Sequence, residues 1–217
     1  SIKWTAALKN SFRNHHRLNY EVTKMVGACY RPFLKMNFYA EKSLSDRLTA
    51  NHYAMFGKDL GLPNQVITLT GPNSQKPFMT MMADRVADWH LVGAACGTIC
   101  FPLYRYDDHS NRLDNITDWG LEQFRQHYLA LRPRTRKIQK LDIFHYTYAV
   151  LHYPVYRQKY EQNLKRELPR LPCYPNFWQW VQWGQQLMEW HLNYETVDPY
   201  PLTRQDQKLT ATVRNKV

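Results

Sequence analysis

Glycine is scarce. The 217-residue chain holds 8 glycines, where an average usage of about 7% would supply roughly 15. No G-x-x-x-x-G-K-[ST] loop and no G-x-G-x-x-G turn occurs, which excludes the two common backbone cradles for nucleotide phosphates. Cysteine is sparse too, with 4 in the chain, and only Cys96 and Cys100 are close; Cys29 and Cys173 stand apart. A zinc site would want a second close pair or more histidine than His90 supplies. The apolar neighbours Ala94, Ala95, Ile99 and Phe101 read instead as surroundings of buried free thiols in a reducing compartment, so a cytoplasmic setting is expected. No stretch of about 18 apolar residues exists, so no transmembrane helix and no membrane partner are expected. The opening Ser1-Ile2-Lys3-Trp4 has no export-signal character. It also lacks an initiator methionine, as a piece of a longer polypeptide would.

Reaction centres are missing as well. Metal-dependent nucleases of the common fold need an acid and then Asp/Glu-x-Lys to hold Mg²⁺ and activate water. No glutamate here is followed by x-Lys, and Asp206-Gln207-Lys208 sits near the end without a strand. There is no G-x-S-x-G elbow and no cysteine with a reason to be a low-pKa nucleophile. The Asn/Asp-Pro-Pro-aromatic loop of amino-methylating enzymes is absent. Asp107-Asp108-His109 has ligand-type side chains for a divalent cation, although Asp-Asp after a strand more often makes a turn. His15-His16 lies between Arg13 and Arg17 and reads as exposed surface.

What the chain does have is positive charge and aromatic rings. Lys and Arg number 29 against 18 Asp and Glu, a net charge of +11 with a pI near 9.5. The 15 Tyr, 9 Phe and 7 Trp make 14% of the residues. The hydrophobic fraction of 44% can fill a core, which excludes disorder and fibrous repeats for most of the length. A packed domain with a basic, aromatic-rich composition is what a nucleic-acid binder requires.

Periodicity divides the chain. Trp4, Leu8 and Phe12 predict a short basic helix within residues 1–20. Residues 21–108 read as strand-rich: Ala28-Cys29-Tyr30 and Met36-Asn37-Phe38-Tyr39 flank Pro32. The β-branched run Gln65–Thr70 ends at Gly71-Pro72-Asn73, and Phe78–Ala83 should return as its hairpin partner. Ile99–Tyr104 reads as a further strand. Residues 109–195 turn helical, with Asp118 and Asp142 as expected caps and Pro154 opening another helix. Glu161 and Lys165 stand at i, i+4 on it. Phe177, Trp180, Val181, Gly184, Leu187, Met188 and His191 then recur at spacings of three and four, predicting a long helix packed on the helices before it. Residues 196–217 read as a surface tail. The fold class is α+β, a strand-rich N-terminal half packed with a helical C-terminal half.

Three polar sets are candidate DNA contacts. Between Glu122 and Asp142 lie Arg125, Arg132, Arg134, Arg136, Lys137 and Lys140 with no acid among them. Such like charges repel, and an opposing polyanion relieves that. Arg132 to Arg136 surrounds Pro133 and should be a loop able to reach phosphates or guanine edges. Arg157, Lys159, Lys165, Arg166 and Arg170 form a second set, diluted by Glu161 and Glu167. The turn at Asn73, Gln75 and Lys76 is a third, since amides can read adenine.

Beyond these sets, longer motifs resemble a known family. Tyr30-Arg31-Pro32-Phe33 followed by Asn37-Phe38-Tyr39 is similar to the opening of a target-recognition domain of restriction-modification enzymes. Met81-Met82-Ala83-Asp84, Asp88-Trp89-His90, Cys100–Tyr104 and Asp114-Asn115-Ile116-Thr117 follow in the same order. The most specific stretch runs from Asp142-Ile143-Phe144-His145-Tyr146-Thr147-Tyr148 through Tyr156-Arg157 to Leu164–Arg170. Over about residues 1–195 the chain resembles the C-terminal specificity domain of type ISP restriction-modification enzymes.

The resemblance implies a non-catalytic module that reads double-stranded DNA for a larger bacterial polypeptide. Its partners there would be nuclease, motor and adenine-type methyltransferase domains. S-adenosylmethionine, ATP and Mg²⁺ would belong to those parts, leaving no cofactor for this chain. Base-reading residues vary with target sequence, so none carries over by position. Two other classes stay open at this point: a metal-dependent nuclease using Asp107, Asp108 and His109, or a structural docking domain without DNA affinity.

Overall fold

The computed structural model describes residues 4–45, 48–93, 97–131 and 136–203. Helix α1 (Ala6–Arg13) begins at Thr5, whose hydroxyl accepts the Leu8 amide at 2.9 Å. Strands β1 (Met25–Arg31) and β2 (Leu34–Tyr39) form an antiparallel hairpin through Pro32 and Phe33. Helix α2 (Ala50–Phe56) comes next and was not legible in the sequence. Only Met55 and Phe56 of its seven residues are buried, too few for a periodic stripe.

Five more strands build the middle of the molecule: β3 (Val66–Thr70), β4 (Thr80–Ala83), β5 (Val86–Ala87), β6 (Thr98–Pro102) and β7 (Tyr104–Tyr106). A short β8 (Arg112–Asp114) pairs with β7, and β5 joins the free edge of β1 in parallel. The expected hairpin exists, with Val66 opposite Ala83 and Leu69 opposite Thr80. Strand β6 pairs with the other edge of β3. Every residue of β3 is buried, which explains a largely β-branched run without a charged residue. Successive side chains point to opposite faces of this sheet. Ile67, Leu69 and Met82 therefore enter one core, while Val66, Met81 and Ala83 enter another. Thr68 is tolerated between them because its hydroxyl donates to the Met81 carbonyl at 2.9 Å.

The first core is shared with the helices: α3 (Asp118–Leu131), α4 (Lys140–His152), α5 (Pro154–Lys159), α6 (Glu161–Arg166) and α7 (Phe177–Leu192). Two expected caps need correction. Thr117 caps α3, its hydroxyl accepting the Gly120 amide at 3.1 Å, and Asp118 is the first helical residue. Helix α4 starts at Lys140; Asp142 sits one turn inside and accepts the Gln139 amide at 2.8 Å, completing a capping box. Pro154 does occupy the first turn of α5, where a missing N–H costs nothing.

Helix α7 lies on α4. Phe177, Val181, Gly184 and Met188 are buried as the stripe predicted. Trp180 and Leu187 are only partly covered at the margin of that core. Trp180 stacks on Tyr174 at 4.9 Å and donates its indole N–H to the Pro175 carbonyl at 3.2 Å. It pins the loop before α7 rather than filling the centre. The thiols also differ from expectation: Cys29 is buried and Cys100 half-buried, but Cys173 is exposed.

A polar group is enclosed where α4 meets α7. The Tyr148 hydroxyl and His191 Nδ1 are 2.5 Å apart, His152 Nδ1 meets the Tyr148 carbonyl at 2.9 Å, and the two imidazoles are 5.2 Å apart. Burial pushes the His152 imidazole down to about 4, and the neighbouring Arg157 guanidinium and His191 ring push the same way. An unfolded histidine takes its proton near pH 6.5, so between pH 6.5 and 4 the unfolded chain binds more protons than the folded one. Stability from the neutral ring is complete above about pH 6.5 and drains away as pH falls toward 4, by up to about 3 kcal/mol. The melting midpoint should therefore drop steeply from pH 7 to pH 4.5. His152→Gln should flatten that dependence even where it lowers the midpoint at every pH. Equal slopes in both proteins would place the acid sensitivity elsewhere.

Candidate nucleic-acid interface

The loop after β3 is anchored rather than free. Asn73 takes a left-handed conformation (φ 64°) that asparagine tolerates. Its amide donates to the Lys165 carbonyl at 2.7 Å, one of the last α6 carbonyls that the helix leaves without a partner. The Ser74 hydroxyl accepts the Lys76 amide at 3.0 Å. Two sets that are ninety residues apart in sequence thus meet. Asn73, Gln75 and Lys76 stand exposed beside the end of α6, which carries Lys165 and Arg166.

The charges there are only lightly engaged. Lys165 pairs with Glu161 at 2.6 Å, and Arg170 pairs with Glu167 at 2.9 Å while remaining 85% exposed. Exposed pairs of this kind stabilise by about 0–1 kcal/mol, so a phosphate can replace the acid. Arg166 is exposed and, among the described residues, has no ion-pair partner. Arg157, read from sequence as part of this set, turns inward. Its Nε donates to the Leu151 carbonyl at 2.6 Å and its guanidinium lies 5.6 Å from the Phe78 ring. It ties the loop to the end of α4.

The acid-free segment divides in the same way. Arg132 and Arg134 lie outside the described residues, as do Cys96 and Asp206-Gln207-Lys208. Arg125 donates twice to the Ile138 carbonyl, at 3.0 and 2.8 Å, and closes the base of the segment. Lys140 bridges Asp114 at 3.2 Å and Asp118 at 2.7 Å, and the hydrogen bond it donates to Asp118 raises its pKa. Both are fastenings of the fold. Lys137 faces solvent, and Arg136 is 69% exposed although it bonds Asp142 at 2.8 Å. The Arg136 guanidinium also lies 4.7 Å from the Trp178 ring centre. Arg136, Trp178, Val181, Gln182 and Gln185 together line an open groove along α7. The apolar stripe of α7 does not reveal this groove, although Val181 belongs to both; the signal was Gln182 and Gln185, three residues apart beside the stripe.

Asp107-Asp108-His109 is a turn between β7 and β8. The Asp107 carboxylate accepts the Asn111 side-chain amide at 2.9 Å, the Asn111 backbone amide at 2.8 Å and the His109 backbone amide at 2.9 Å, and these bonds lower its pKa, the Asn111 side chain most. Among the described residues no cluster of three or more His, Cys, Asp or Glu is arranged to hold a metal, and no helix is long and apolar enough to cross a membrane.

A family model, the type ISP C-terminal specificity domain, matches residues 1–216. Among solved structures, a cryoEM structure of a DrdV–DNA complex is similar over 95% of this chain and 19% of that one, with 38% identity and a TM-score of 0.85. A nuclease-deletion mutant of the type ISP restriction-modification enzyme LlaGI, in complex with a DNA substrate mimic, is similar over 91% of this chain and 16% of that one. There the identity is 26% and the TM-score 0.73. The ATP-dependent type ISP enzyme LlaBIII, bound to DNA, shares the fold at 24% identity and a TM-score of 0.74, over 94% of this chain and 13% of that one. No curated protein sequence matches the chain. The chain therefore spans less than a fifth of each of these structures.

Proposed function

The chain belongs to the type ISP C-terminal specificity-domain family, and from that membership we propose that it is the sequence-reading module of a larger restriction-modification enzyme, taking double-stranded DNA as its ligand. The observation that carries this reading is its likeness to the DrdV–DNA complex along almost its whole length. Exposed cations of two sets, the Asn73–Lys76 loop with α6 and the segment before α4, supply the phosphate grip. Arg, Asn and Gln side chains between them supply readout of base edges. The Asp107 carboxylate is committed to its turn, which speaks against the nuclease alternative.

On this reading the module has no catalysis and no cofactor of its own. Its partners in the parent polypeptide are the nuclease, motor and methyltransferase domains, and its setting is the bacterial cytoplasm. The purified chain should bind duplex DNA with an affinity that falls as salt rises. It should neither cleave nor methylate that DNA when Mg²⁺, ATP and S-adenosylmethionine are added. Duplex affinity absent even at low salt would favour a docking role instead. Turnover that disappears on Asp108→Ala would make the chain an enzyme.

A further inference from the structure

The groove on α7 has a composition that its neighbours lack. From Phe177 to Leu192 the helix contains no lysine or arginine, while Gln179, Gln182, Gln185 and Gln186 all face solvent. A helix without cations has little to offer a phosphate, but a glutamine amide donates and accepts side by side. That pattern matches adenine N7 and N6–H₂ in the major groove. Gln182 and Gln185 are three residues apart, so their Cβ atoms lie about 5–6 Å from each other on one face. Neighbouring bases along a strand are about 3.4 Å apart, within the spread of two flexible amides.

Arg136 supplies the complementary chemistry at the end of the same groove. Its guanidinium is held on one side by Asp142 at 2.8 Å and lies 4.7 Å from the Trp178 ring centre, yet stays 69% exposed. Asp142 is itself 4% exposed and fixed by the Gln139 amide. A planar fork restrained from two directions loses less freedom on binding than a free surface arginine. Restraint of that kind favours a directional bidentate contact, as with guanine O6 and N7, over a diffuse phosphate contact.

We infer that Arg136, Gln182 and Gln185 form a base-reading element, in which the two glutamines select adenine and Arg136 selects guanine in adjacent base pairs of duplex DNA. The assignment rests on the DNA-recognition reading above and adds which side chains discriminate. Trp178 is a positioning residue that holds the guanidinium, and Val181 forms the apolar floor.

The test is enrichment of bound duplexes from a randomised library by the full 217-residue chain, by Gln182→Ala/Gln185→Ala, and by Arg136→Lys. Melting midpoints should verify that each variant is folded. The wild type should enrich a motif. The glutamine variant should lose preference for adenine at one or two positions by roughly 10- to 100-fold, while affinity for random duplex and its salt dependence stay the same. Arg136→Lys keeps the charge but not the fork, and should relax a guanine in an adjacent position. An unchanged motif in both variants overturns the assignment and leaves the DNA reading intact. A uniform loss on all sequences with a shallower salt dependence also overturns it, because the groove would then grip the backbone. A wild type that enriches no motif removes the DNA-recognition reading, and this assignment with it.

Discussion

Replacing Gly184 by alanine should lower the melting midpoint by roughly 6–12 °C. A Cβ at this position would lie 1.8 Å from the His145 carbonyl oxygen and 2.5 Å from its carbon. Both are backbone atoms of α4, so no rotamer change relieves the clash. Nor can α4 retreat, since Tyr146, Tyr148, Val150 and Leu151 are fixed in the core. Overpacking a core typically costs about 1–3 kcal/mol, occasionally more, and a clash between two helix backbones belongs at the top of that range. For domains of 150–250 residues each kcal/mol moves the midpoint by about 2–4 °C. Gly120→Ala is the control. Its Cβ would meet Thr117 Oγ1 at 3.4 Å and Ile116 Cγ2 at 3.9 Å, ordinary contacts, and alanine favours helix by up to about 1 kcal/mol over glycine. Thermal melts should therefore show a loss at Gly184 and none at Gly120. A Gly184→Ala protein melting with the wild type would mean that α4 and α7 are not packed this closely.

The importance of Gly184 was half legible. Its place in the apolar stripe showed that it faces inward, but stripe position does not reveal how near the opposing backbone comes. The same boundary between readable and unreadable recurs elsewhere. Central strand β3 stood out because burial on both faces leaves a largely β-branched run without a charge. Helix α2 did not, because a single buried turn has no period. Helix starts were misplaced by one residue at Asp118 and by three at Asp142, where two cap-competent residues stand close together, Thr117 before Asp118 and Gln139 before Asp142. The fold class and family needed no tertiary contact and were readable from pattern alone.

For the interface, charge was legible and its direction was not. Arg125, Lys140 and Arg157 are as basic in sequence as Arg136 or Arg166. Their partners are the Ile138 and Leu151 carbonyls and the carboxylates of Asp114 and Asp118. Most of these become neighbours only when the chain folds. Conversely, the loop at Asn73 and the end of α6 gave two separate signals because the bond from Asn73 to Lys165 runs between backbone atoms. Backbone bonds leave no trace in residue identity.

That sorting has a measurable consequence for how DNA is held. Removing the charges of Arg132, Arg134 and Arg136 together should weaken binding to random duplex through the first two and weaken the cognate duplex further through Arg136. Each phosphate neutralised by a cation releases condensed counterion, so log affinity falls with log salt by about 0.9 per contact. Losing the phosphate contacts of Arg132 and Arg134 should flatten that slope by roughly two units. Lys140→Ala removes the same charge per residue from the same acid-free segment, but from a side chain bonded to Asp114 and Asp118. It should lower the melting midpoint and leave the salt slope where it was. Arg136, inferred above to read guanine, should when substituted alone cost about 1–3 kcal/mol on the cognate duplex and little on random sequence. Titrations over salt and sequence separate these outcomes. An unchanged slope in the triple variant would move the phosphate grip to Lys165, Arg166, Arg170 and the Asn73–Lys76 loop, where the exposed charges are held only by surface ion pairs that a phosphate can displace.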